Sequence, residues 1–236
     1  VKKIDKKFLF AFSALVVAGF LIFSSASLGL LARADSRFLA IALNQLAFGL
    51  GLGTTACIIA SFIPYTYWRK YSLAIFIFTC VLASLVFVPH IGLKFNGASR
   101  WIGIAGFSFQ PSELLKIGYV FYLAAVLAKA KDKVGNWRYG LVPFISITAV
   151  VAALILPEPD NDTFFMIALA GFGMYFVAGA KLREIAIICL IGIVGFASVI
   201  AFWPYARSRV MTFVNPTANS LGSGYQIQQS QIAIGS

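Results

Sequence analysis

The sequence predicts an all-α protein, a polytopic transmembrane helical bundle, and three observations lead there. Sixty per cent of its 236 residues are hydrophobic. Only 11% are charged, against roughly a quarter in soluble domains. The apolar residues also come in long unbroken runs, with a mean hydropathy of +0.89. A chain so poor in charge cannot clothe itself in water, so lipid is its solvent. In hydrocarbon each backbone N–H and C=O needs a partner within its own segment, which makes a helix of every run.

Seven runs, near 8–31, 38–63, 72–93, 111–129, 139–157, 162–180 and 185–204, reach the length of about 17–25 residues that a crossing needs. The first follows the basic start VKKIDKK, as a signal peptide would. It is too long for the apolar core of such a peptide and reads as an uncleaved span. Pro89-His90 lies near the outer end of the third, where a lone histidine reads as structural. The fourth opens at Gln110-Pro111-Ser112-Glu113, with proline at an early helical position and a carboxylate in the first turn. Pro157 and Pro159 close the fifth. Residues 1–204 are thus read as the membrane bundle. The stretch 205–236 is polar, rich in turn formers and lacks a spanning run, so it reads as the beginning of a loop outside the bilayer.

A net charge of +11 invites a nucleic-acid partner. The cations, however, sit in short clusters between apolar runs, as orientation signals do, and no nucleic acid is expected. With the N-terminus in the cytoplasm, 12 of the 19 Lys and Arg fall inside and 6 outside, Lys116 lying within the fourth run. That bias puts the N-terminus in the cytoplasm and 205–236 on the extracytoplasmic side. Cys57, Cys80 and Cys189 all lie inside apolar runs and read as small buried thiols, with no metal-ligand spacing.

Acids are scarce, eight in all, and an acid at a helix centre is costly in lipid. Glu113 and Lys116, three residues apart on one helix face, are expected to pair. Either they neutralise one another or they line a polar cavity open to the outer leaflet. Glu158, Asp160 and Asp162 crowd a very short loop at the outer end of the fifth run. Arg100 and Trp101 precede the fourth run at the outer interface, where Trp anchors in the headgroup belt and Arg meets lipid phosphates.

NGASRWIGIAGFSFQPSELLKI, Asn96 to Ile117, resembles the most diagnostic stretch of the SEDS family, which contains FtsW, RodA and SpoVE. SSAS at Ser24–Ser27, EPD at Glu158–Asp160, VAGAKL at Val177–Leu182 and the closing NPTANSLGSGYQIQQSQIAIGS are similar to family motifs in the expected order. AGAKL and SGYQ are closer to the FtsW branch than to the RodA branch. The resemblance implies a ten-helix fold in the bacterial inner (plasma) membrane, of which this sequence matches the N-terminal two-thirds. It also implies a peptidoglycan glycosyltransferase that polymerises lipid II, an undecaprenyl-diphosphate-linked disaccharide-peptide. Its expected partners are a class B penicillin-binding transpeptidase and other divisome membrane proteins.

Such a transfer wants a base for the attacking hydroxyl and cations for the leaving diphosphate. The family's essential aspartate aligns with Asn219, four residues after Asn215, so catalysis is expected to be impaired. Asp160 is the candidate substitute acid or metal ligand; a divalent cation is compatible with the family chemistry, and no metal site is assigned. The substrate-binding candidates are Arg100, Trp101, Glu113, Lys116, Glu158, Arg207, Arg209 and Gln226. Two further readings stay open, a lipid II flippase and a non-catalytic divisome component.

Overall fold

The computed structural model describes residues 5–32, 45–89, 91–95, 98–104, 107–158, 160–202, 204–214 and 225–235. The chain divides into two units, Val1–Trp68 and Arg69–Ser236.

In the first unit, α1 spans Lys6–Ala32. Asp5 starts it: Oδ1 accepts from the backbone N–H of Lys7 at 2.9 Å and of Phe8 at 3.2 Å. A carboxylate placed there also meets the positive end of the helix dipole. Phe8, Phe10, Leu15 and Ile22 point outward and exposed, as they do on a helix solvated by lipid. A π-helix, Gln45–Leu52, runs into α2, Gly53–Phe62. Thr54 and Thr55 return their hydroxyls to the carbonyls of Leu50 and Gly51 across this junction. Ile63 is extended because it precedes Pro64, and α2 stops there.

The second unit opens within α3, Tyr65–Ser84, which tightens into a 3₁₀ turn over Leu85–Phe87. An antiparallel sheet follows: β1 Gly92–Phe95, β2 Ala98–Ile104 and β3 Phe107–Phe109, in the order β1-β2-β3. Gly92 pairs with Ile102, and Ile102 with Phe109. This sheet is the one β element among the described residues, and it departs from the all-α expectation. Four further helices complete the bundle and its short links: α4 Pro111–Ala130, α5 Leu141–Ile155, α6 Asn161–Val177 and α7 Leu182–Phe202. Two short helices, α8 Pro204–Val214 and α9 Tyr225–Ile234, lie where the sequence suggested turns.

The core is built from stripes at helical spacing. α4 contributes Leu115, Tyr119, Leu123 and Leu127, α5 Phe144, Ile147, Val151 and Ile155, and α6 Ile167 and Tyr175. Hydrophobic burial does not drive helices together in lipid, so close packing and hydrogen bonds must. Gly171 supplies the closeness: a Cβ there would collide with the Tyr119 hydroxyl. That hydroxyl lies 2.9 Å from Thr148 Oγ1, tying α4 to α5. Gly179, at φ +99°, takes the left-handed conformation that ends α6. Beyond it Glu184 is buried, accepting from the Tyr175 hydroxyl and from the Lys181 amide.

Among the described residues three helices are long and apolar enough on their own to cross a membrane: Lys6–Ser25, Tyr65–Phe87 and Leu182–Phe202. α5 and α6 are apolar but shorter, at 15 and 17 residues.

Candidate functional site

β2, the residue before α4 and the distant loop before α6 meet at the end of the bundle where α4 and α6 begin. β2 supplies Arg100. Strand side chains alternate, and Arg100 shares its face with Ile102, which is buried, whereas Trp101 points the other way and is exposed. Gln110 is the last extended residue before α4, with Pro111 at the first helical position. Glu158 and Asp160 occupy the loop joining α5 to α6, Asp160 standing at the cap of α6.

Their contacts are specific. Arg100 donates from Nε to the Glu158 backbone carbonyl at 3.1 Å, and its Nη1 is 3.8 Å from Asp160 Oδ1. Gln110 Nε2 donates to Asp160 Oδ2 at 2.8 Å. Asp160 is 4% exposed, so these two partners largely replace the water that its charge has lost. The Gln110–Asp160 bond also brings the starts of α4 and α6 together. Two positive helix ends and a guanidinium therefore converge, an arrangement suited to an anion.

Glu158 differs. It is 2% exposed, and neither carboxylate oxygen has a hydrogen-bond partner; the same holds for the buried Ser112 hydroxyl. Burial first, and then the charge of Asp160, push its carboxyl up from 4.5 to about 8, against the opposing pull of Arg100. Glu158 thus keeps its proton at neutral pH. The unfolded chain gives that proton up near 4.5, the folded one only near 8. The stability that Glu158 contributes is complete below about 4.5, drains as pH rises, and is gone above about 8. The unfolding midpoint of detergent-solubilised protein should fall across that window and level off above it. Glu158→Gln should flatten the slope; an unchanged slope would show that Glu158 is not its source.

The other sequence candidates fall elsewhere. Glu113 and Lys116 pair at 2.8 Å on an exposed face of α4. A pair so open to solvent adds little to stability. Arg207 is exposed on α8 and takes no part in these contacts. Asn219 lies outside the described residues, as do His90 and the side chains of Arg209 and Gln226. In the sequence Gln110 and Ser112 mark a helix start, a signal that gives no sign of the Gln110 bridge to Asp160. Among the described residues no group of three or more His, Cys, Asp or Glu is placed to hold a metal.

Apolar helices around a close-packed core, with a buried ionic cluster at one end, define an integral membrane protein of the helical-bundle class. Within that class the chain belongs to the FtsW/RodA/SpoVE family of cell cycle proteins, which it matches over residues 6–236. It is 34% identical over 201 residues to stage V sporulation protein E of Bacillus subtilis, covering 85% of this chain and 54% of that protein. It is 36% identical over 186 residues to a probable peptidoglycan glycosyltransferase FtsW of Geobacter sulfurreducens, covering 79% and 49%. The chain thus spans about half the length of the curated relatives it matches.

Among solved structures it resembles a chain of a peptidoglycan synthase complex that coordinates polymerization and crosslinking, with a TM-score of 0.74 and 28% identity over 100% of this chain and 66% of that one. It also resembles the rod shape determining protein RodA of Thermus thermophilus, with a TM-score of 0.63 and 26% identity over 83% and 59%.

Proposed function

We propose that the chain acts in peptidoglycan synthesis as a glycosyltransferase that extends glycan strands from lipid II at the outer face of the bacterial inner membrane. The observation that carries the reading is the convergence of Arg100, Gln110 and Asp160 where α4 and α6 begin. Arg100 and the two helix ends stabilise the negative charge that grows on the departing lipid diphosphate. Asp160, fixed by Gln110 and neutralised by Arg100, holds the guanidinium in place for that role. Glu158, buried beside Asp160 with its carboxyl pushed up to about 8, adds no negative charge to oppose the diphosphate at neutral pH.

The N-terminus lies in the cytoplasm in this reading, by the excess of Lys and Arg on that side. The cluster then faces outward, where disaccharide-peptides are joined. A class B penicillin-binding transpeptidase is the partner that crosslinks the product, alongside other divisome membrane proteins.

The test supplies labelled lipid II to the purified chain in detergent and separates glycan products by length. Polymer is expected from the wild-type chain, with Asp160→Asn lowering the rate by about tenfold or more, as loss of a group that orients a catalytic cation does. Transfer of lipid II across proteoliposome membranes without polymer would replace this reading with that of a flippase.

A further inference from the structure

At the end of the bundle opposite the ionic cluster, α4 and α6 part and leave a cleft of about 560 Å³. Ala124, Leu127 and Ala128 of α4 wall one side, and Gly173 and Val177 of α6 the other. Lys131 is the charged residue of the lining among the described residues. The space is open: a Cβ on Gly173 would meet nothing within 4 Å, and Val177 is 84% exposed. Residues 124 to 131 run for about 10 Å along the helix axis, long enough to take the upper part of an acyl chain. On a protein solvated by lipid, an open apolar cleft of this kind meets acyl chains rather than water.

The charge around it selects the headgroup. Lys129, Lys131, Lys133, Arg138, Lys181 and Arg183 are all exposed at this end. Asp132 is the exposed carboxylate among them, and Glu184 is buried and engaged by Tyr175. Lys131 is also the one non-glycine residue with positive φ, 45°, among the described residues. The chain turns there, directly after α4, and sets this cation against the cleft. Exposed Trp137 and Tyr139 carry Arg138 and Lys133 over their ring faces at 5.3 and 5.6 Å. Such aromatic and cationic neighbours mark the level of the headgroups. Basic pockets between membrane helices are suited to anionic headgroups.

We propose that this cleft binds one anionic glycerophospholipid, with an acyl chain between α4 and α6 and its phosphodiester on Lys131. The site lies at the far end from the transferase cluster and does not depend on the function proposed above.

The whole chain in a neutral detergent is titrated with phosphatidylglycerol and, separately, with phosphatidylcholine of the same acyl chains. Retained lipid is counted by native mass spectrometry. Phosphatidylglycerol should bind about fivefold more tightly, the preference one surface lysine confers. Lys131→Gln should remove that preference while leaving phosphatidylcholine binding as it was. Gly173→Phe should weaken both lipids by filling the cleft. Ala128→Phe, at an exposed position, repeats that test should the glycine variant lower the melting temperature. Equal binding of the two lipids by the wild-type chain would overturn the proposal. So would a preference that survives both Lys131→Gln and the filled cleft, since the basic rim alone would then account for it.

Discussion

Replacing Arg100 with alanine should destabilise the protein by about 3 kcal/mol, at the lower end of the cost of breaking a buried ion pair from one side. The lower end applies because the Arg100 side chain is 27% exposed and Asp160 only 5%, so solvent screens one partner and not the other. Two losses combine. Asp160 keeps a buried charge with Gln110 as its remaining hydrogen-bond donor at 2.8 Å. The Glu158 carbonyl loses the Nε donor that it had at 3.1 Å. Removing the orphaned charge should recover part of the cost, so Arg100→Ala with Asp160→Asn should be more stable than Arg100→Ala alone. Unfolding midpoints in detergent for the four members of this cycle give the coupling directly. A single-variant shift below about 0.5 kcal/mol, the range of ordinary surface changes, would mean that the pair does not hold the loop to the sheet.

That cycle joins residues 60 apart, and the distance explains what could be read from the sequence and what could not. The Glu113–Lys116 pair was legible because three residues along a helix fix a shared face, and the two groups do meet at 2.8 Å. Gln110 and Asp160 stand 50 positions apart, and no local periodicity links them. Their meeting depends on α4 and α6 packing side by side through Gly171, a glycine with no special mark in the sequence.

The sheet between Gly92 and Phe109 was hidden for another reason. Its strands of 4, 7 and 3 residues are too short to show a clear alternating pattern. α3 begins at Tyr65 rather than near residue 72 because Arg69 and Lys70 interrupt the hydropathy without interrupting the backbone hydrogen bonds. Hydropathy locates what dissolves in lipid, whereas a helix needs only its i to i+4 ladder, and the two end at different places. Pro204 at the start of α8 was a signal within reach, since proline favours the first turn of a helix.

Restoring a carboxylate at position 219 should raise the polymerisation rate by about 10² to 10⁴, the usual contribution of a general base. The expectation follows from the family likeness: an amide stands where an acid would take the proton of the attacking sugar hydroxyl. Asparagine has no basic lone pair at neutral pH, so under the proposed transferase function position 219 would offer the attacking hydroxyl no carboxylate base. Asn219→Asp supplies the base without changing side-chain size. Its effect should fall on turnover rather than on lipid II binding, because Arg100 and the starts of α4 and α6 would hold the diphosphate in both versions.

Single-turnover rates with labelled lipid II, beside a separate binding titration, divide those two outcomes. The gain should also carry a pH signature: activity rises as the new acid ionises, from about 3.9 in an unperturbed aspartate. At the high end it falls as Glu158 loses its proton near 8, giving a bell whose alkaline limb Glu158→Gln abolishes. Equal turnover in the two versions with binding intact would place the base elsewhere, and a wild-type chain already making long polymer at speed would show that Asn219 impairs nothing.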